Sequence, residues 1–213
     1  GVLPSPALTL GQALFADAAL YLGSPDGQPH AVAHKFWGLR GRPLSRGAGL
    51  EDVEQVAGDR PDRPVRQSGP IARRELGGVY LQRLRRCYHA LRPLRFVVDT
   101  ASSPFRHGLE TLLSAVACRT LDPWPPGTER RGEVSDAVVS QGAHFGVWVD
   151  GDGERIRLWD ERGREVRWHA MVALLTRHLL ASRPGAAVVI ERGGTAEEQM
   201  LAGFWLEAQH ARR

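Results

Sequence analysis

Between positions 150 and 155 the chain reads Asp150-Gly151-Asp152-Gly153-Glu154-Arg155, three acids at alternating positions with a glycine between each pair. Glycine accepts left-handed and tightly turned backbone, so this spacing lets three carboxylates converge, and hard oxygen donors of that kind suit Mg²⁺ or Ca²⁺. The same string also fits a solvated Asp-Gly turn between two strands, and spacing alone leaves both readings open. It does not fit an EF-hand. That loop wants glycine at its sixth position, where Arg155 stands, and helices on both sides, where the flanking residues read as strands.

A second chemical signal comes from composition. Lysine and arginine together number 28, yet Lys35 is the only lysine. In so arginine-biased a chain, a retained lysine marks a position where a compact ammonium serves and a planar guanidinium does not. The formal net charge of +4 is spread along the chain with acids interspersed, which argues against a nucleic-acid partner. Cys87 and Cys118 are too few and too far apart for a disulfide framework or a thiolate zinc site, and both read as buried thiols.

The elements that must position these groups alternate between helix and strand. With 213 residues, 42% of them hydrophobic and 24% charged, the chain suits one large or two small soluble domains. No apolar run of about 18 residues could cross a bilayer, and the opening Gly1-Val2-Leu3-Pro4-Ser5-Pro6 lacks the design of a secretory signal, so a cytoplasmic protein with no membrane partner is expected. The missing initiator methionine is what a chain cut from something longer would show. Periodicity predicts helices over 8–19, with Thr9 as cap, 50–56, 71–91, 108–118, 170–181 and 197–210. Strands are predicted at 19–22, 96–99, 145–150, 155–160 and 186–190, and residues 58–70 form a polar connection between domains. Strand, loop and helix in that order define an α/β class, and the acidic string falls between two strands.

The residues around that string resemble a known family. Ala143 to Arg155, continuing to Asp160-Glu161-Arg162-Gly163-Arg164, is similar to the stretch A-D-x-G-x-x-x-D-G-D-x-D-R followed by D-E-x-G-R of the α-D-phosphohexomutases, the family of phosphoglucomutase and phosphomannomutase. Phe96-Val97-Val98-Asp99 looks like the V-V-D strand of its second domain. Val2 to Leu8 resembles the G-x-x-P-T-P-A-L segment, and His34-Lys35-Phe36 with Gly41-Arg42-Pro43-Leu44-Ser45 resembles G-x-K-F and D-G-x-P-L. The four matches keep the family's order.

The resemblance implies three-layer α/β/α domains: a partial first domain over 1–70, a nearly complete second over 71–166, and the start of a third over 167–213. It implies Mg²⁺ on Asp150, Asp152 and Glu154, with Arg155 beside the transferred phosphate, Lys35 as the active-site lysine, and a hexose phosphate as the small-molecule partner. The third acid is glutamate where the family has aspartate, one methylene longer. The family's phosphoserine motif T-A-S-H-N-P falls, without a gap, on Gly23 to Gln28, which puts Pro25 at the serine position and Ser24 one residue early. Gly132-Glu133-Val134-Ser135 imitates the sugar-selecting loop but precedes the metal string, so it is set aside as coincidence. The fourth domain's phosphate cradle has no counterpart. The expected function is intramolecular phosphoryl transfer on hexose phosphates, impaired in this chain. The alternative is a non-catalytic paralogue that binds metal and sugar phosphate or a protein partner, from a truncated or naturally reduced chain.

Overall fold

The computed structural model describes residues 3–23, 31–59, 69–87, 91–123, 133–183 and 186–187. Helix α1 (Ser5–Phe15) opens the chain, and β1 (Ala19–Gly23), β2 (Ala33–Gly38) and β3 (Arg42–Pro43) form an antiparallel sheet in that order. Helices α2 (Leu50–Gly58) and α3 (Gly77–Arg85) precede a second sheet. The remaining elements are β4 (Arg95–Thr100), α4 (Ser103–Leu113), β5 (Arg119–Leu121), α5 (Val134–Ser140), β6 (Phe145–Val149), β7 (Ile156–Trp159), β8 (Glu165–Val166) and α6 (Trp168–Ser182).

The second sheet runs β5-β4-β6-β7-β8. Its first three strands are parallel, with Phe96 opposite Phe145 and Thr100 opposite Val149, whereas β6, β7 and β8 are antiparallel. A parallel pair requires a long crossover and an antiparallel pair only a turn. The switch at β6 is therefore what makes the 150–155 segment a tight hairpin turn.

Both faces of β4 are buried, as its central position demands. Phe96 and Val98 pack with Val147, Val149, Leu109 and Leu113 on one side, so α4 covers that face. Val97 packs with Val134, Ala137, Val138 and Trp159 on the other, beneath α5. Helix, sheet and helix make the expected α/β/α layering. Gly146 lies where α5 presses closest. A Cβ there would come within 2.6 Å of Val138 and 2.7 Å of Val134.

Several expected boundaries move. Helix α1 begins at Ser5 behind Pro4, and Thr9 lies inside it, its hydroxyl donating to the Pro6 carbonyl. Helix α4 begins at Ser103 rather than 108, because the Ser102 hydroxyl accepts from the Phe105 amide and Pro104 sits in the first turn. Helix α3 is shorter than expected, and residues 71–75 ahead of it are exposed. Cys118 is buried as expected, but Cys87 is exposed. The strand expected at 186–190 and the helix at 197–210 fall largely or wholly outside the described residues.

Candidate functional site

The site assembles where the β6–β7 turn meets α1 and the first sheet. Within the turn, Gly153 donates to the Asp150 carbonyl at 3.2 Å, and the Asp150 amide donates to the Arg155 carbonyl at 3.2 Å, closing the hairpin. The Asp150 carboxylate accepts from the Glu154 amide at 2.7 Å. Gly153 has φ 76°, and a Cβ there would lie 3.0 Å from the Pro4 ring, so both the turn geometry and the approach of α1 require glycine.

Helix α1 docks onto this turn through its first residue. The Ser5 amide donates to the Asp152 carbonyl at 2.9 Å, and the Ser5 hydroxyl donates to a Glu154 carboxylate oxygen. Ser5 is 1% exposed, so both of its polar groups need these partners.

From the first sheet comes the cation. The Lys35 ammonium lies 2.5 Å from Asp152 Oδ2 and 2.8 Å from Glu154 Oε2, bridging the two acids. Tyr21 is opposite Lys35 in the β1–β2 register, and its hydroxyl hydrogen-bonds to Asp152 while the ammonium stands 5.7 Å from its ring centre. Strand β1 then ends at Gly23, where a Cβ would sit 2.5 Å from Asp152 Oδ1. Asp152 is thus enclosed by a phenol, an ammonium and a bare stretch of backbone.

The electrostatics follow from this enclosure. Burial by itself would lower the Lys35 pKa, but hydrogen bonds to Asp152 and Glu154 outweigh it and hold the ammonium above the usual lysine range. Burial and then the Asp152 charge raise the Tyr21 hydroxyl, keeping it a neutral donor.

Of the residues singled out in the sequence, Lys35, Asp152 and Glu154 meet directly, and Asp150 organises the turn beneath them. Arg155 is on the same turn with an exposed side chain. Ser24 and Pro25 lie outside the described residues. Tyr21 and Ser5 carry no spacing signal of their own. Only the match of Pro4-Ser5-Pro6 to a family segment pointed toward the second.

The donor chemistry fits a hard divalent cation, since all three acids come from one turn and Asp150 and Asp152 are 5% and 8% exposed. Their present partners nevertheless keep them from converging. Among the described residues, no group of three His, Cys, Asp or Glu side chains is disposed to hold a metal ion. An ion on Asp150, Asp152 and Glu154 requires the last two to turn away from Lys35.

A helix-covered mixed sheet with a lysine–carboxylate cluster at the end of β6 defines the class as an α/β fold with a polar site at one end of its sheet. Comparison with known proteins shows what the chain is similar to. The chain is 29% identical over 170 residues to a phosphomannomutase of Salmonella montevideo, covering 70% of this chain and 37% of that protein. It is 27% identical over 241 aligned positions to the phosphoglucosamine mutase of Maricaulis maris, covering 100% of this chain and 52% of that one. A solved phosphoglucomutase/phosphomannomutase family protein from Burkholderia thailandensis superposes with a TM-score of 0.66 at 20% identity, over 87% of this chain and 44% of that structure. No family model matches. The chain is similar in sequence and in fold to proteins of the phosphohexomutase family, and it spans 37% to 52% of the length of these two curated relatives.

Proposed function

We propose that this chain carries the phosphate-handling half of a phosphohexomutase-type centre, which in a complete protein performs intramolecular phosphoryl transfer on hexose phosphates. The observation that carries this reading is convergence. Three segments that match the family separately in sequence, Pro4-Ser5-Pro6, Lys35 and Asp150 to Glu154, meet within hydrogen-bonding distance in space. Asp150, Asp152 and Glu154 would hold Mg²⁺, which when bound neutralises charge on a phosphoryl group. Lys35 offers an ammonium to the phosphate, Tyr21 orients Asp152, Ser5 orients Glu154, and Arg155, exposed on the same turn, stands beside the phosphate. Three units divided near residues 70 and 166 are part of the same reading. So is a cytoplasmic location, which two unpaired cysteines favour.

A second reading is favoured by one observation. The ungapped phosphoserine position is Pro25, which has no hydroxyl, and Ser24 lies one residue away. A displacement of about 3.8 Å along the chain is large where about 1 Å can cost a hundredfold. The chain then binds metal and sugar phosphate, or a protein partner, without turnover.

A coupled mutase assay with a bisphosphate activator, run beside calorimetry with glucose 1-phosphate and mannose 1-phosphate, tests both. Sugar-phosphate binding without turnover at mutase rates is the expected result. Robust turnover lost in Ser24→Ala would establish an active register-shifted serine and overturn the impairment. Absence of binding to either sugar phosphate would sink the family-type function for this chain.

A further inference from the structure

The carboxylates that fit a divalent ion are already occupied by a cation of the chain's own. Lys35 is 2.5 Å from Asp152 and 2.8 Å from Glu154, distances that fill the space an ion on those oxygens would need, since Mg²⁺ binds oxygen at about 2.0–2.1 Å. Two cations cannot share two carboxylates at that range without strong mutual repulsion. The Glu154 carboxylate reaches both Ser5 and Lys35, one through each oxygen. Tyr21 contacts Asp152 as a neutral donor and does not compete.

Resting on the metal reading above, we infer that the Lys35 ammonium and a divalent cation are exclusive occupants of the Asp152–Glu154 pair, so that metal entry expels Lys35 from the turn. The lysine bridges Asp152 and Glu154 in the absence of metal and is released from them when the metal arrives. Its flexible four-carbon stem permits that swing. Lys35 acts on the loop as a positioning residue.

Because Lys35 is the only lysine, its release can be read in the unmodified protein. An amine-reactive reagent is applied at increasing Mn²⁺, with Nζ labelling followed by peptide mass spectrometry and Mn²⁺ binding followed by electron paramagnetic resonance on the same samples. Labelling of Lys35 should rise several-fold with the same midpoint as Mn²⁺ binding. Lys35→Met should bind Mn²⁺ at least about tenfold tighter than wild type. Binding with no change in labelling, or with protection of Lys35, overturns the exclusivity while leaving the metal reading intact. No Mn²⁺ binding at 10 mM by wild type or by Lys35→Met removes the metal reading and this inference with it, the 10 mM limit being about tenfold above the weakest millimolar sites of calcium modules.

Discussion

The two sheets are stabilised by different means. The five-stranded sheet buries apolar side chains on both faces, with Val97 and Val138 at 0% exposure. The three-stranded sheet leaves Leu20 and Leu22 of β1 about half open, at 48% and 61%. What ties β1 and β2 to the rest of the molecule is a set of polar contacts to the β6–β7 turn, made by Tyr21 and Lys35. One region is held by volume and the other by directed contacts. The acidic turn belongs to the first by covalent structure and to the second by its hydrogen bonds.

The largest effect that can break this contrast is in the apolar core. Leu113→Ala should destabilise the protein by about 2–5 kcal/mol in urea unfolding, whereas Leu20→Ala on β1 should cost about 0.5 kcal/mol or less. Equal costs would show that the first sheet has a core of comparable weight. Next comes the polar seam. Lys35→Met in metal-free buffer should cost about 1–2 kcal/mol, between the values for exposed and buried ion pairs, because it leaves Asp152 and Glu154 facing each other unneutralised.

The same seam sets a dependence on pH. Lys35 is raised in the folded state, so its contribution is complete below about pH 10.4, the unfolded lysine value, and is lost as pH rises through the folded one. Tyr21 is raised too and acts in the same direction. The urea midpoint of wild type should therefore fall above about pH 10.4 more steeply than that of Lys35→Met. Parallel curves would mean that the ion pairs contribute nothing to folding. Tyr21→Phe removes a single hydrogen bond and should cost about 0.5–1.5 kcal/mol. The smallest effect is expected at Asp160, whose pairing with Arg164 is exposed. Asp160→Asn should leave the midpoint within error, and a measurable loss would extend the directed-contact region to the β7–β8 hairpin.

Much of this was legible in the sequence where the signal was local. The strand at Ala19–Gly23, the β6–β7 hairpin and its acidic turn follow from alternation, apolar runs and glycine placement. Strands β2, β3, β5 and β8 and helix α5 do not follow from the sequence pattern: β2 lies just after a stretch rich in glycine and proline, and the others are too short to show a period. Strand β5 has three residues and α5 seven, the latter beginning at Val134 inside a string set aside as coincidence. Helix α4 starts ahead of the apolar run at 108–118 because Ser102 caps it and Pro104 occupies its first turn. In the site, the acids and Lys35 were recognisable by type. That Lys35 bridges Asp152 and Glu154, and that Tyr21 and Ser5 complete the cluster, depends on tertiary contacts that no spacing encodes.

The separations across that cluster bear on how the molecule is made. Lys35 and Asp152 are 117 positions apart, and Ser5 and Glu154 149. A ribosome adding about 5–20 residues per second delivers Asp152 roughly 6–23 s after Lys35. Throughout that interval α1 and β1 have been synthesised, and β2 soon after, while the turn they contact does not yet exist. The contacts that tie β1 and β2 to the turn therefore wait for a hairpin whose first strand, β6, pairs with β4. A nascent chain halted before residue 150 would carry a phenol, an ammonium and a leucine edge without the turn that contacts them, and such a strand edge is open to pairing with another chain.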